Sequence, residues 1–194
     1  MCGVNMNKLI KLTNFKTSQK GMSFLEVLVA LVIIVTGVLG AVAMQVTAKR
    51  ASFDAMQRSL ASGLAQDIIS RIRANGVNNL ASYAGTDYGV DVPDSLEQRC
   101  NAANIDCTSV QMVANDVFEW EQALSGADVK SSGDINNGGL VGGLGCISID
   151  DNALKVVVSW QGREDTSDGK GSSGCGGTYT NKKRRQVVVE AFII

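Results

Sequence analysis

The run from Met22 to Val46 constrains this chain more than any other feature. Its 25 residues include only Ser23, Glu26, Thr36 and Gln45 as polar side chains. As a helix rising 1.5 Å per residue it reaches roughly 37 Å, enough to cross a bilayer with some tilt. Glu26 conflicts with that environment. A charge at the centre of a membrane helix costs roughly 2.5–3.5 kcal/mol even on the lenient insertion scale, so a compensating partner is expected.

Charge flanks the run unevenly. Residues 1–21 carry Lys8, Lys11, Lys16 and Lys20 and no acid, so a formal charge of −1 overall becomes −5 for the remainder. Lysines ahead of the run and none within it point to a cytoplasmic N-terminus, although Lys49 and Arg50 follow it. The helical pattern continues past the apolar run. Phe53, Met56, Leu60, Leu64, Ile68 and Ile72 recur at spacings of three or four and form one stripe. Asn75-Gly76 is a stop signal. One helix from about Ser23 to Ala74 is expected, roughly 80 Å long, apolar all round in its first half and amphipathic in its second.

Residues 77–108 read as a loop with short helical pieces. A helix is expected over Ser109–Ser125, where Thr108 and Gln111 have capping-box spacing and Val110, Val113, Val117, Trp120 and Leu124 share a face. Thirteen of the 21 glycines lie between Gly126 and Gly177, a turn-rich region. Three strands are expected there and beyond, at Cys146–Ile149, Leu154–Trp160 and Gln186–Ile193. Asp150-Asp151-Asn152 suits a hairpin loop between the first two. A helix followed by strands gives an α+β fold with an antiparallel sheet.

Composition excludes several functions. With no histidine, Ser-His and Cys-His catalysis and His-ligated metals are ruled out, and no spacing of carboxylate, lysine or tyrosine commends an enzyme. No cofactor or metal site is expected: Arg163–Gly169 ("REDTSDG") does not match a calcium loop and reads as a polar turn. Trp120 and Trp160 sit on apolar faces and read as core. Lys182–Arg185 ("KKRR") is a basic run that can meet nucleic acid or anionic lipid, but the stronger reading is a solvated start to the last strand, and nucleic acid is not an expected partner. Five cysteines are present, and Cys2 precedes the apolar run. Beyond it Cys100, Cys107, Cys146 and Cys175 form an even set, which in an exported domain suggests two disulfides. Four cysteines allow three pairings. Locality favours Cys100–Cys107 and Cys146–Cys175, worth roughly 2.5 and 3.6 kcal/mol by chain entropy.

The N-terminus admits three readings. A secretory signal peptide would be cut at Ala41-Val42-Ala43, but the apolar segment is longer than a usual signal core and contains Glu26. A plain anchor leaves Glu26 unpaired in lipid. The third rests on "K-G-M-S-F-L-E-V-L-V-A-L", in which a basic leader ends in glycine and a glutamate follows five residues on. This resembles the class III signal of type IV prepilins. "NDVFEWEQALSG", "CISIDDNALKVVVSWQG", "CGG" and "KKRRQVVVEAFI" together resemble PilV-type minor pilins over most of the chain, the loops at 77–99 and 126–145 excepted.

The resemblance implies the type IV pilin fold: a long N-terminal helix, half membrane-spanning and half amphipathic, packed on a small antiparallel sheet. It implies a leader, 1–21, removed by a prepilin peptidase between Gly21 and Met22, with N-methylation of Met22. A membrane and pilus-core half, 22–46, and a globular part, 47–194, follow. Expected partners are that peptidase, other minor pilins, the major pilin and the inner-membrane assembly platform. The expected role is to prime a type IV pilus at the inner membrane and sit at or near its tip, single-pass with a cytoplasmic N-terminus and then extracellular. Alternatives are a minor pseudopilin of type II secretion and a membrane-anchored adhesin. Glu26, fifth after the cut, is expected to pair with the ammonium that the cut creates. Gly37 and Gly40 lower the cost of unwinding the helix there by roughly 1 kcal/mol each relative to alanine.

Overall fold

A computed structural model describes residues 21–102, 105–127, 129–133, 136–166, 175 and 182–194. The leader lysines, Cys2 and residues 167–169 of the polar turn lie outside the described residues. Two compact units divide between Val46 and Thr47.

The first unit contributes one described element, the opening half of helix α1 (Phe24–Asn75). Its side chains are exposed from Met22 through Val46. By length and composition α1 is apolar enough to cross a membrane. Thr36 does not disturb that, because its hydroxyl donates to the carbonyls of Val32 (2.9 Å) and Ile33 (3.0 Å) within the same helix.

The second unit begins with the amphipathic half of α1. A 3₁₀-helix (Val77–Tyr83) follows, then strand β1 (Gly85–Tyr88), helix α2 (Ser109–Ser125) and strands β2 (Leu144–Asp150), β3 (Ala153–Gln161) and β4 (Arg184–Phe192). The sheet is antiparallel in the order β1-β2-β3-β4. This is the expected α+β architecture, a long helix packed on a small antiparallel sheet, with a fourth strand added. β1 has only four residues, starts on glycine, and pairs with β2 through an irregular register.

Period and packing explain the core. On β3, Leu154, Val156, Val158 and Trp160 alternate onto one face and are fully buried against Ala61, Leu64, Ala65, Ile68, Ile69 and Ile72 of α1. The buried stripe of α1 is offset from the expected one. Met56 is exposed, and the adjacent Gln57 is buried instead, its side-chain oxygen accepting the Val141 N–H at 3.0 Å. On α2, Val113, Trp120 and Leu124 are buried as expected, whereas Val110 in the first turn faces solvent.

Turn chemistry sets the connections. Asp150 and Ala153 pair across a two-residue turn, with Asp151 at φ 51°, a conformation that aspartate tolerates and that matches strand twist. α2 opens with a complete Thr108–Gln111 capping box and closes on Gly126 in the left-handed region. A side chain at Gly126 would also collide with the backbone of Gly139, so two glycines permit that crossing. Cys100 and Cys107 are joined in a disulfide, as are Cys146 and Cys175.

The basic run departs from the expected solvated strand start. Lys182 and Lys183 are exposed, but Arg184 is buried, donating to Ser159 Oγ at 2.7 Å and to the Gly142 carbonyl at 3.1 Å. Arg185 reaches Asp54 of α1 at 3.1 Å. A terminal nitrogen of each guanidinium finds acceptors within the globular unit, the Ser159 hydroxyl and Gly142 carbonyl for Arg184 and the Asp54 carboxylate for Arg185.

Candidate assembly site

Gly21, Met22 and Ser23 precede the helix and are exposed. The Ser23 carbonyl accepts the N–H groups of Glu26 (3.0 Å) and Val27 (3.3 Å). Ser23 Oγ also accepts the Glu26 N–H at 3.2 Å, so Ser23 is the N-cap. Ser-x-x-Glu has the spacing of a capping box, a local signal that the hydropathy pattern does not register. The Gly21–Met22 bond therefore lies in non-helical chain directly ahead of a capped helix. Glu26 falls in the first turn, where its charge complements the helix dipole. Among the described residues no side chain pairs with its carboxylate. Gly37 and Gly40 sit in unbroken helix with no neighbouring group against them.

A second group of polar side chains meets in the globular unit around Arg71. Its guanidinium contacts Asp67 at 2.9 Å, Glu119 at 2.6 Å and Asp116 at 3.5 Å. Glu119 also receives Arg99 at 3.0 Å and Asn115 at 3.1 Å. Tyr83 donates to Asp116 at 2.6 Å, and Asn75 bridges Tyr83 to the Ser109 carbonyl. Asn115 accepts the Cys100 N–H at 3.1 Å, and Arg99 lies over the Phe118 ring. One network thus ties α1, the 3₁₀-helix, the Cys100–Cys107 loop and α2. A cleft of about 720 Å³ borders the network at Arg99 and Phe118, and Arg99 Nε is buried there without a hydrogen-bond partner, whereas the carboxylates around Arg71 are all paired.

Burial and pairing set the protonation states. Burial opposes the Arg71 charge, but the hydrogen bonds it donates to Glu119 and Asp67 outweigh it and hold the guanidinium above its ordinary value. Burial alone would raise Glu119, yet its bonds to Arg71 and Asn115 hold it below the usual carboxylate range. Burial, then the bond to Asp116, pushes Tyr83 up. Glu121 is raised by burial, opposed only by the Gly89 N–H at 3.1 Å.

The two glutamates therefore act oppositely in acid. A depressed carboxylate gives stability that is present above its unfolded value and lost as pH falls through its folded one. A raised carboxylate gains stability as pH falls. Glu121→Gln keeps an acceptor for Gly89 and removes an uncompensated charge. It is expected to raise the Tm at neutral pH and steepen the acid-side loss, whereas Glu119→Gln lowers the neutral Tm and flattens that loss. Thermal scans across the acid range read both, and a lower neutral Tm for Glu121→Gln would contradict the assignment.

Comparison with known families adds two matches. Residues 43–118 match the Tt1218-like family model, described as type IV pilin Tt1218. Residues 16–42 match the prokaryotic N-terminal methylation motif, which contains Gly21, Met22 and Glu26. No curated protein and no solved structure matches the chain. Residues 43–118 are thus similar to a type IV pilin domain and residues 16–42 to a prepilin N-methylation motif, and the long helix on a small antiparallel sheet is consistent with the type IV pilin fold. That motif implies processing by a prepilin peptidase and partners among pilus components, and the apolar α1 fits a membrane-anchored one. The type IV pilin family is structural rather than catalytic.

Proposed function

We propose that the chain is a PilV-like minor pilin of a type IV pilus and has no enzymatic activity. The peptidase cuts between Gly21 and Met22 and the new N-terminus is methylated. Residues 22–46 hold the product in the inner membrane with its N-terminus cytoplasmic, and 47–194 form the extracytoplasmic part. With other minor pilins it primes assembly on the inner-membrane platform, and it stays at or near the tip ahead of the major pilin. The observation that carries this reading is the methylation motif over residues 16–42 with a helix capped by Ser23 and beginning at Phe24. The minor-pilin reading draws further support from the Trp120 helix and the β2–β3 hairpin, the segments that resemble PilV-type chains.

Mass spectrometry of sheared pili tests the role. The chain is expected at a small fraction of the major pilin, and its deletion is expected to reduce pilus number sharply. Equal abundance with the major pilin would contradict the minor role. Absence from pili together with a secretion defect would favour the pseudopilin alternative.

A further inference from the structure

Formal charge is segregated in this chain, and the fold gathers one sign of it. In residues 47–58, 161–166 and 182–185 eight basic side chains stand against three acids, whereas the rest of the sequence from Gly21 onward has sixteen acids against six bases. These three segments meet within the globular unit. The Gly162 N–H donates to the Lys183 carbonyl at 2.8 Å, and the Thr166 N–H donates to that of Lys182 at 2.7 Å. Arg163 lies over the Phe53 ring at 4.3 Å, Glu164 meets Arg50 at 3.4 Å, and Arg185 meets Asp54 at 3.1 Å. Two of the three acids are thereby matched by arginines of the collar itself. Lys49, Arg58 and Lys182 are exposed around it.

The position of this collar along α1 gives it a partner. Lys49 is three residues past Val46, about 5 Å along a helix. A chain whose residues to Val46 lie in hydrocarbon has Lys49 and Arg50 in the headgroup layer, and the contacts to Arg50, Phe53 and Asp54 bring 161–166 and 182–185 close to the same depth. We propose that this collar is a docking surface for anionic phospholipid headgroups, which hold the globular unit against the outer leaflet before the subunit leaves the membrane. The acidic remainder is repelled by the same surface, so the charge pattern orients the unit as well as binding it. It also gives a role to Lys49 and Arg50, which run against the usual bias of charge toward the cytoplasm. The inference rests on the reading that 22–46 span the bilayer.

The test uses the full chain in nanodiscs of phosphatidylcholine alone or with about 30% phosphatidylglycerol, read by amide hydrogen exchange. Stable insertion into both kinds of disc checks the spanning segment independently of the lipid comparison. With phosphatidylglycerol, exchange across 161–166 and 182–185 is expected to slow about fivefold, and the effect is expected to vanish near 1 M salt, where the Debye length is about 3 Å. Lys49→Glu with Lys182→Glu is expected to abolish the difference, and the milder Lys49→Gln with Lys182→Gln to reduce it. Unchanged exchange in β3 shows that either variant is folded. Lys155→Glu, outside the collar, is expected to leave the difference intact. Equal exchange in the two lipids overturns the proposal, as does loss of the difference in Lys155→Glu. Protection that ignores phosphatidylglycerol and rises with the number of copies per disc also overturns it, because the collar then meets a second chain instead.

Discussion

Trp120→Ala is expected to cost the globular unit about 3–5 kcal/mol, the upper range for deleting a buried aromatic side chain. Trp120 is fully buried. Its indole N–H donates to the Leu64 carbonyl of α1 at 2.9 Å, and its ring meets Tyr88 edge-on at 5.6 Å. Gly145 of β2 completes the site, since a side chain there would overlap the Trp120 ring. One side chain thus joins α2 to α1, β1 and β2, so its removal leaves a cavity and deletes the hydrogen bond between α2 and α1 at once. A domain stable by about 5–15 kcal/mol loses a large share of that margin. Trp120→Phe fills much of the volume without the N–H and is expected to fall between alanine and the native protein. Denaturant unfolding under oxidising conditions reads the series. A loss below about 1 kcal/mol for Trp120→Ala would show that the ring is not the centre of this core.

Glu26→Ala is expected to leave cleavage and membrane insertion intact and nearly to abolish entry into pili. Two roles for the carboxylate compete. Ser23 and Glu26 have capping-box spacing, so one role is to fix the start of α1, which glutamine performs equally well. The other is charge. Dipole complementarity supplies only about 0.3–1 kcal/mol, too little to offset burial in lipid, so an ammonium is required as partner. The proposed partner is the N-terminus released at Met22, from the same subunit or its neighbour in the fibre, where an unmatched subunit leaves two charges in lipid. Glu26→Gln separates the roles because it keeps the cap and removes the charge. Immunoblots of sheared pili against membranes are expected to show both variants retained in the membrane. Wild-type incorporation of Glu26→Gln would reduce Glu26 to a capping residue.

How much is legible in the sequence depends on the range of the interaction responsible. Helix α2, its capping box and the Asp151-Asn152 turn are set by residues a few positions apart, and their pattern is readable directly. The long α1 is equally plain, but its buried stripe passes through Gln57 rather than Met56, because the loop at Val141 supplies a partner 84 residues away. β1 carries no signal of its own: four residues with weak strand propensity are held by the edge of β2. The Arg71 network is invisible for the same reason, since Asp116 and Glu119 lie 45 and 48 residues from Arg71. The basic run misleads in a different way. Charge alone does not distinguish the exposed Lys182 and Lys183 from Arg184 and Arg185, which the fold turns inward onto Ser159 and Asp54. At the assembly site the Ser23 cap is local and readable, whereas the proposed ammonium partner of Glu26 is an expectation that rests on the resemblance of the leader alone, because in the uncut chain the Met22 nitrogen is a peptide amide.

The most direct test of a pilin-like maturation is the mass of the mature N-terminus. Purified from its membrane, the chain is expected to contain 173 residues, the full 194 less the 21 of the leader, and to begin with N-methylated Met22. A product beginning at Met44 would establish ordinary signal-peptide cleavage after Ala43, and an intact leader would establish a plain anchor. Either result would contradict the assignment of Gly21, Met22 and Glu26 to pilus assembly.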